Sequence, residues 1–205
     1  MKSILNLLLT TMLLLPVSLI AAHPAQDVVR TTADQVLDKL AAEQELLEAE
    51  PDRIYGLVQE YILPHFDFMS MSRWVLGRNW RDATEAQQQE FAEEFQTLLV
   101  RTYAKALLEY SDQDIEYQPV REDGGSNLVT VRTEVKQGGS NQKIPINYTM
   151  HTADGEWKVV DVSVNGVSLV STYRGSFSSE VRRSGIDGLI KRMSERNSGS
   201  RIAAD

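Results

Sequence analysis

Apolar residues along the chain keep two different periods, and the change from one to the other divides the sequence. From Asp27 to Pro51, the residues Val29, Ala33, Val36, Leu37, Leu40 and Leu47 recur at helical spacing with no glycine or proline between them, which predicts one long amphipathic helix. Pro51 suits a first helical position, and Ile54, Leu57, Val58, Tyr61 and Ile62 predict a second helix that stops at Pro64. Asp67 is placed to cap a third helix over Phe68 to Leu76, with Gly77 closing it. Thr84 with Gln87 is a capping-box pattern, and Phe91, Phe95, Leu98, Leu99, Thr102, Ala106 and Tyr110 form one stripe along a fourth helix to about Glu109.

Beyond this point the period becomes two: Ile115 and Tyr117, then Val129, Val131, Thr133 and Val135, then Ile144, Ile146, Tyr148 and Met150, then Glu156 to Val164. Gly124-Gly125, Gly138-Gly139 and Asp154-Gly155 are hairpin signals, so the strands read as a four-stranded antiparallel meander. Pro145 puts the third strand near an edge or a bulge. In the last strand, regular alternation sets Trp157 and Val159 with Asp161 and Ser163 on one face and Val160, Val162 and Val164 on the other. Both faces read as covered, which predicts a central strand. Asn165-Gly166 then turns the chain, and Val167, Leu169, Val170 and Tyr173 lead into a C-terminal helix interrupted at Gly185 and Gly188. The fold class is therefore α+β: a twisted four-stranded antiparallel sheet wrapped by N-terminal and C-terminal helices, in one domain spanning 23–197, with a disordered tail over 198–205.

The first 22 residues change the picture. A basic start at Lys2, an apolar run from Ile4 to Leu15, Pro16, and small Ala21 and Ala22 make a secretory signal peptide cleaved near Ala22, too short for a comfortable membrane span. With no cysteine, disulfides, thiolate metal sites and a thiol nucleophile are excluded. Net charge is −8, which argues against nucleic-acid binding. The charge is uneven: 27–67 carries ten acids and three bases, whereas 174–205 carries seven bases and four acids, as for a protein that presents different faces to different partners.

Catalytic signals are weak. His23, His65 and His151 lack metal-ligand spacing, and neither a nucleophile elbow nor a phosphate-cradling glycine loop is present. His151 with Asp161, and Tyr148 beside them, is a polar set that an enzyme would use, and the many serines leave room for a Ser-His-Asp set assembled in space. The apolar supply is larger than a plain core requires: Phe66, Phe68, Met69, Met71, Trp74, Val75, Leu76 and Trp80 lie close together, as for a greasy pocket. Arg73, Arg78, Arg81 and Arg101 flank it and are candidates to meet phosphate or a partner surface.

The strings YILPHFDFMSMSRWVLGRNWRDAT, FAEEFQTLLVRTYAKALLEY, GEWKVVDVSVNGVSLVSTYRGSF and GIDGLIKRM, in this order and spacing, resemble the MlaC (Ttg2, toluene-tolerance) family of periplasmic phospholipid carriers. The resemblance implies a non-enzymatic, monomeric periplasmic shuttle with no cofactor beyond its bound phospholipid. Such a protein would move phospholipid between an outer-membrane lipoprotein–porin complex and an inner-membrane ABC transporter bearing an MCE-domain ring, and so maintain outer-membrane lipid asymmetry. It further implies acyl chains between sheet and helices, with Val167 and Tyr103 at the cavity or its entrance. On the predicted elements, the helix side of that cavity is Met69, Val75, Leu76, Trp80, Phe95 and Leu99. The sheet side is Ile146, Tyr148, Val160, Val162 and Val164, continued by Leu169, Val170 and Tyr173. The alternative is a small periplasmic α+β hydrolase or isomerase using His151 and Asp161.

Overall fold

The computed structural model describes residues 23–110, 114–120, 127–136 and 143–202. The expected signal peptide and the Gly124-Gly125 and Gly138-Gly139 turns lie outside them.

The N-terminal half is helical, with more breaks than the periodicity predicts. Helix α1 (Pro24–Ala42) is followed at Glu43 by a separate short α2 (Gln44–Ala49), so the long first helix is two pieces. His23 caps α1 by accepting the Ala25 N–H at 3.1 Å. Pro51 opens a 3-10 turn (Pro51–Arg53) that runs into α3 (Ile54–Leu57) and a π turn (Val58–Ile62). Helix α4 (Phe68–Leu76) is capped by Asp67 and closed by Gly77 as expected. Helix α5 (Glu85–Tyr103) has the Thr84–Gln87 capping box and passes into a 3-10 segment, Ala104–Tyr110.

The strands are β1 (Ile115–Tyr117), β2 (Leu128–Lys136), β3 (Lys143–Ala153), β4 (Glu156–Val164) and a two-residue β5 (Val167–Ser168), in the order β1-β2-β3-β4-β5 with antiparallel neighbours throughout. The meander therefore has one strand more than the periodicity shows. Asn165 (φ 51°) and Gly166 (φ 79°) both take left-handed backbone, which folds Val167 back opposite Val164. The middle strand is β3 rather than β4. Pro145 sits in it without breaking the ladder because pairing to β4 ends at Ile146–Val164, so that side of Pro145 needs no N–H donor.

A bulge decides which way β4 faces. The β3–β4 register shifts between Thr149 and Met150: Thr149 opposes Asp161, whereas Met150 opposes Val159, leaving Val160 as the extra residue. Regular alternation is therefore wrong beyond Val159. Trp157, Val159 and Val162 pack in one cluster with Ala25, Val29, Val129, Val131 and Met150, while Val160 joins a cluster on the other side of the strand. Asp161 thus leaves the Trp157 face, and Val162 takes its place there.

Among the described residues, three apolar clusters hold the elements together. The largest joins α4, α5 and α6 (Leu169–Ile202) to Val160, with the rings of Phe91, Phe95, Tyr173 and Phe177 at centroid separations of 5.3–6.0 Å. The second joins Val36 and Leu40 of α1 to Leu47, Ile54, Leu57, Val58 and Ala104, and the third seats the start of α1 on the sheet. Helix α6 is two helical lengths meeting at Gly185 (φ 73°, ψ 178°), a conformation open almost only to glycine. Gly185→Ala is expected to destabilise by about 1–3 kcal/mol, read as a lowered denaturation midpoint. The second length carries Leu189, Ile190 and Met193 into the helical core and continues past Asn197 to Ile202. Asn197 is buried there: its side-chain amide nitrogen donates to the Glu94 backbone carbonyl at 3.0 Å, and its backbone carbonyl accepts from Arg101.

Candidate functional site

On the covered face of the sheet, the β2 residues Val129, Val131, Thr133 and Val135 oppose Met150, Tyr148, Ile146 and Ile144 of β3. Val162 and Val164 of β4 oppose Tyr148 and Ile146. Positions two apart on a strand share a face, so these side chains form a continuous apolar surface. The β2 members are buried, but Ile144, Ile146, Tyr148 and Val162 are only half-buried, and Val164 is 39 % exposed. Tyr148 shows what this partial burial means. Its phenol is pushed up to about 12, first of all by desolvation, even though part of its area is open. The phenol end is therefore largely surrounded by protein while part of the side chain stays open.

Among the predicted cavity residues, Ile146, Tyr148, Val162 and Val164 are brought together on this face. Val75, Leu76, Phe95, Leu99, Val160 and Val170 instead sit in the α4–α5–α6 core, with Trp80 and Tyr173 packed against it. Val75, Phe95 and Val160 have no exposed surface at all, so they fill the core and line no space. Met69 is 40 % exposed on a different surface, an open depression of about 470 Å³ beside the β3–β4 turn that also involves Phe66, Phe68, Gln96 and Lys158. Leu169 is half-buried at the start of α6, and Val167 before it is 61 % exposed. Tyr103 is 41 % exposed at the end of α5, with its phenol pushed up to about 12 by burial and by a hydrogen bond with Tyr173.

The arginines divide similarly. Arg73, Arg78 and Arg81 are exposed on α4 and the 3-10 segment after it (Gly77–Asp82). Arg101 is a structural tie, donating to the Asn197 carbonyl of α6.

The structure separates His151 from Asp161. His151 Nε2 donates to Asp67 Oδ2 at 2.8 Å, while Asp67 Oδ1 accepts the Ser70 N–H at 2.8 Å. Asp161 accepts from Ser168 Oγ at 2.5 Å and Val170 N at 3.1 Å, fixing the start of α6. Both carboxylates are consumed by helix starts, so the acid–base pair of the enzyme alternative is not assembled. Burial alone would raise the Asp67 carboxyl, but the Ser70 hydrogen bonds and His151 more than reverse it, leaving it below its ordinary value. A depressed carboxyl stabilises the fold above its unfolded pKa of about 3.9 and loses that contribution as pH falls through the folded value. Asp67→Ala is accordingly expected to cost about 1 kcal/mol at neutral pH, with the gap to the parent protein closing below about pH 4 in acid denaturation. No group of His, Cys, Asp and Glu able to hold a metal ion occurs among the described residues.

Sequence reasoning missed the α1 contribution and Tyr117. Ala25 and Val29 of α1 cover the sheet, and the Arg30 guanidinium lies 4.3 Å from the Tyr117 ring centroid. The period-two spacing of Ile115 and Tyr117 was the available signal.

The family model described as MlaC protein matches residues 30–195. The chain belongs to the MlaC family. Among its relatives is the toluene tolerance protein ttg2D of Pseudomonas putida, 32 % identical over 182 residues, covering 88 % of this chain and 83 % of that one. The intermembrane phospholipid transport system binding protein MlaC of Haemophilus influenzae is 26 % identical over 195 residues, covering 94 % and 91 %. A solved structure, that of the phospholipid-binding protein from Ralstonia solanacearum in complex with a phospholipid, superposes with a TM-score of 0.78 at 32 % identity, covering 86 % of this chain and 98 % of that one. The α+β class read from the sequence and the family read from its motifs both agree with these matches.

Proposed function

We propose that this protein is a periplasmic phospholipid carrier whose bound acyl chains lie against the half-buried sheet face of Ile144, Ile146, Tyr148 and Val162. The observation that carries the reading is that face: apolar, continuous, and only half-buried by the protein's own side chains. The phospholipid bound by the Ralstonia solanacearum relative supports the ligand class. Energetics make a closed apolar site sufficient reason for a carrier. Two acyl chains of about 30 methylenes would cost on the order of 24 kcal/mol to expose to water at ~0.8 kcal/mol each. No covalent step is required.

The lipid is taken up from an outer-membrane lipoprotein–porin complex or an inner-membrane MCE-domain ABC transporter and handed to the other, after export and signal-peptide removal. No helix among the described residues is long and apolar enough to cross a membrane. The exposed Arg73, Arg78 and Arg81 are the surface offered to phosphate-bearing or acidic partners. Val164 and Val167, exposed at the β4–β5 turn, form the rim of the lipid site with Tyr103.

Organic extraction of purified protein followed by mass spectrometry tests the reading. Phospholipid near one per chain is expected, and an empty protein that turns over esters would instead favour a hydrolase. Val167→Glu adds a second readout. Because Val167 already meets water, the variant should melt at the parental temperature. A carboxylate beside acyl methylenes and a lipid phosphate should still lower bound phosphorus several-fold, by about 1 kcal/mol or more.

A further inference from the structure

Two tyrosines stand among the aliphatic side chains of the covered sheet face. Tyr117 of β1 opposes Thr133, Thr133 opposes Ile146, and Ile146 opposes Val164, the exposed end of β4. Tyr148 lies in the adjoining row between Val131 and Val162. The fold satisfies the third hydroxyl of this region: Thr133 Oγ1 donates to the Ile146 carbonyl at 2.7 Å. It does not satisfy Tyr117, whose hydroxyl is buried with no hydrogen-bond partner among the described residues. Thr32, one turn beyond Val28 and Val29 on the helix that covers the face, carries a second such hydroxyl.

A buried hydroxyl without a partner loses its water and gains nothing in return, and native proteins leave few of them unexplained. Both phenols are pushed up to about 12, chiefly by burial, and so stay protonated donors at neutral pH. The Arg30 cation over the Tyr117 ring makes that O–H a better donor. The Tyr117 hydroxyl has no acceptor within hydrogen-bond reach among the described residues, the nearby Asp34 carboxylate acting on it only through its charge. A diacyl phospholipid brings two ester carbonyls at the boundary between its tails and its phosphate, and the Tyr117 row is the row that reaches the exposed rim at Val164.

We infer that Tyr117 and Tyr148 form a polar subsite that donates hydrogen bonds to the ester carbonyl oxygens of a diacyl lipid, so that the ester linkage as well as the tails is recognised inside the fold. The inference rests on the carrier reading and specifies its substrate class as ester-linked lipids. A trapped water would supply the same acceptor oxygen, and the experiment separates the two sources.

Delipidated protein is incubated with vesicles containing equal amounts of diacyl and dialkyl-ether phosphatidylglycerol of matched chain length, and the retained lipid is quantified by mass spectrometry. The parent protein should retain the diester about fivefold over the diether, the size of one hydrogen bond. The Tyr117→Phe/Tyr148→Phe variant, which keeps both rings, should show a ratio near one, with its melting temperature reporting the fold. Should the double variant not fold, Tyr117→Phe alone should reduce the preference. An even ratio in the parent protein, as trapped water would give, overturns the inference, as does a variant that keeps the parental preference. Retention of neither lipid by the parent protein would remove the carrier reading itself, a different and distinguishable result.

Discussion

Phe95→Ala is expected to lower stability by about 3–5 kcal/mol while leaving bound phospholipid per folded chain unchanged. Phe95 has no exposed surface, and its ring meets those of Phe91, Tyr173 and Phe177 at 5.8, 5.4 and 6.0 Å. Truncation leaves a cavity between three helices that are tied to one another elsewhere, by Arg101 to Asn197 and by Arg174 Nε to the Trp74 carbonyl at 2.8 Å, so collapse is only partial. Denaturant unfolding measures the stability and phosphorus analysis of the folded fraction measures the ligand. A variant of parental stability that has lost its lipid would move Phe95 from the core to the binding site.

Ile146→Glu should give the opposite pattern. Ile146 lies between Thr133 and Val164 on the half-buried sheet face, where a carboxylate finds no cationic partner on the facing strands. Burying an unpaired charge costs several kcal/mol, and the escapes are protonation, outward rotation or exclusion of the apolar ligand. Bound phospholipid is expected to fall more than about tenfold, a difference of over 1.4 kcal/mol, with a smaller loss of melting temperature than Phe95→Ala produces. Parental lipid content in a folded Ile146→Glu protein would place the acyl chains elsewhere.

The contrast between these two residues shows what the sequence could carry. Phe95 and Ile146 are both apolar positions on strongly periodic elements, and periodicity reports that a face is buried without reporting against what. The helix caps at Asp67 and Thr84, the stop at Gly77 and the Asn165-Gly166 turn were legible because each depends on a few adjacent residues. The facing of β4 was not, since one bulged residue, Val160, reverses every side chain after it and leaves no mark in composition. Likewise, the partner of His151 lies 84 positions away at Asp67, and Asp161, nearer in sequence, is held by Ser168 and Val170. The structure brings the sheet residues Ile146, Tyr148, Val162 and Val164 of the candidate pocket onto one face. For Val75, Leu76, Phe95 and Leu99, the packing of α4 and α5 against α6 makes a core where a cavity wall was expected.

The most direct test is to load the protein with a phospholipid carrying a photoactivatable diazirine along one acyl chain, irradiate it, and map the labelled residues by peptide mass spectrometry. Labels on β3 and β4 at Ile146, Tyr148 and Val162, and none on Val75, Leu76 or Phe95, are the result expected. Labels concentrated on α4 and α5, with the sheet unlabelled, would contradict the account.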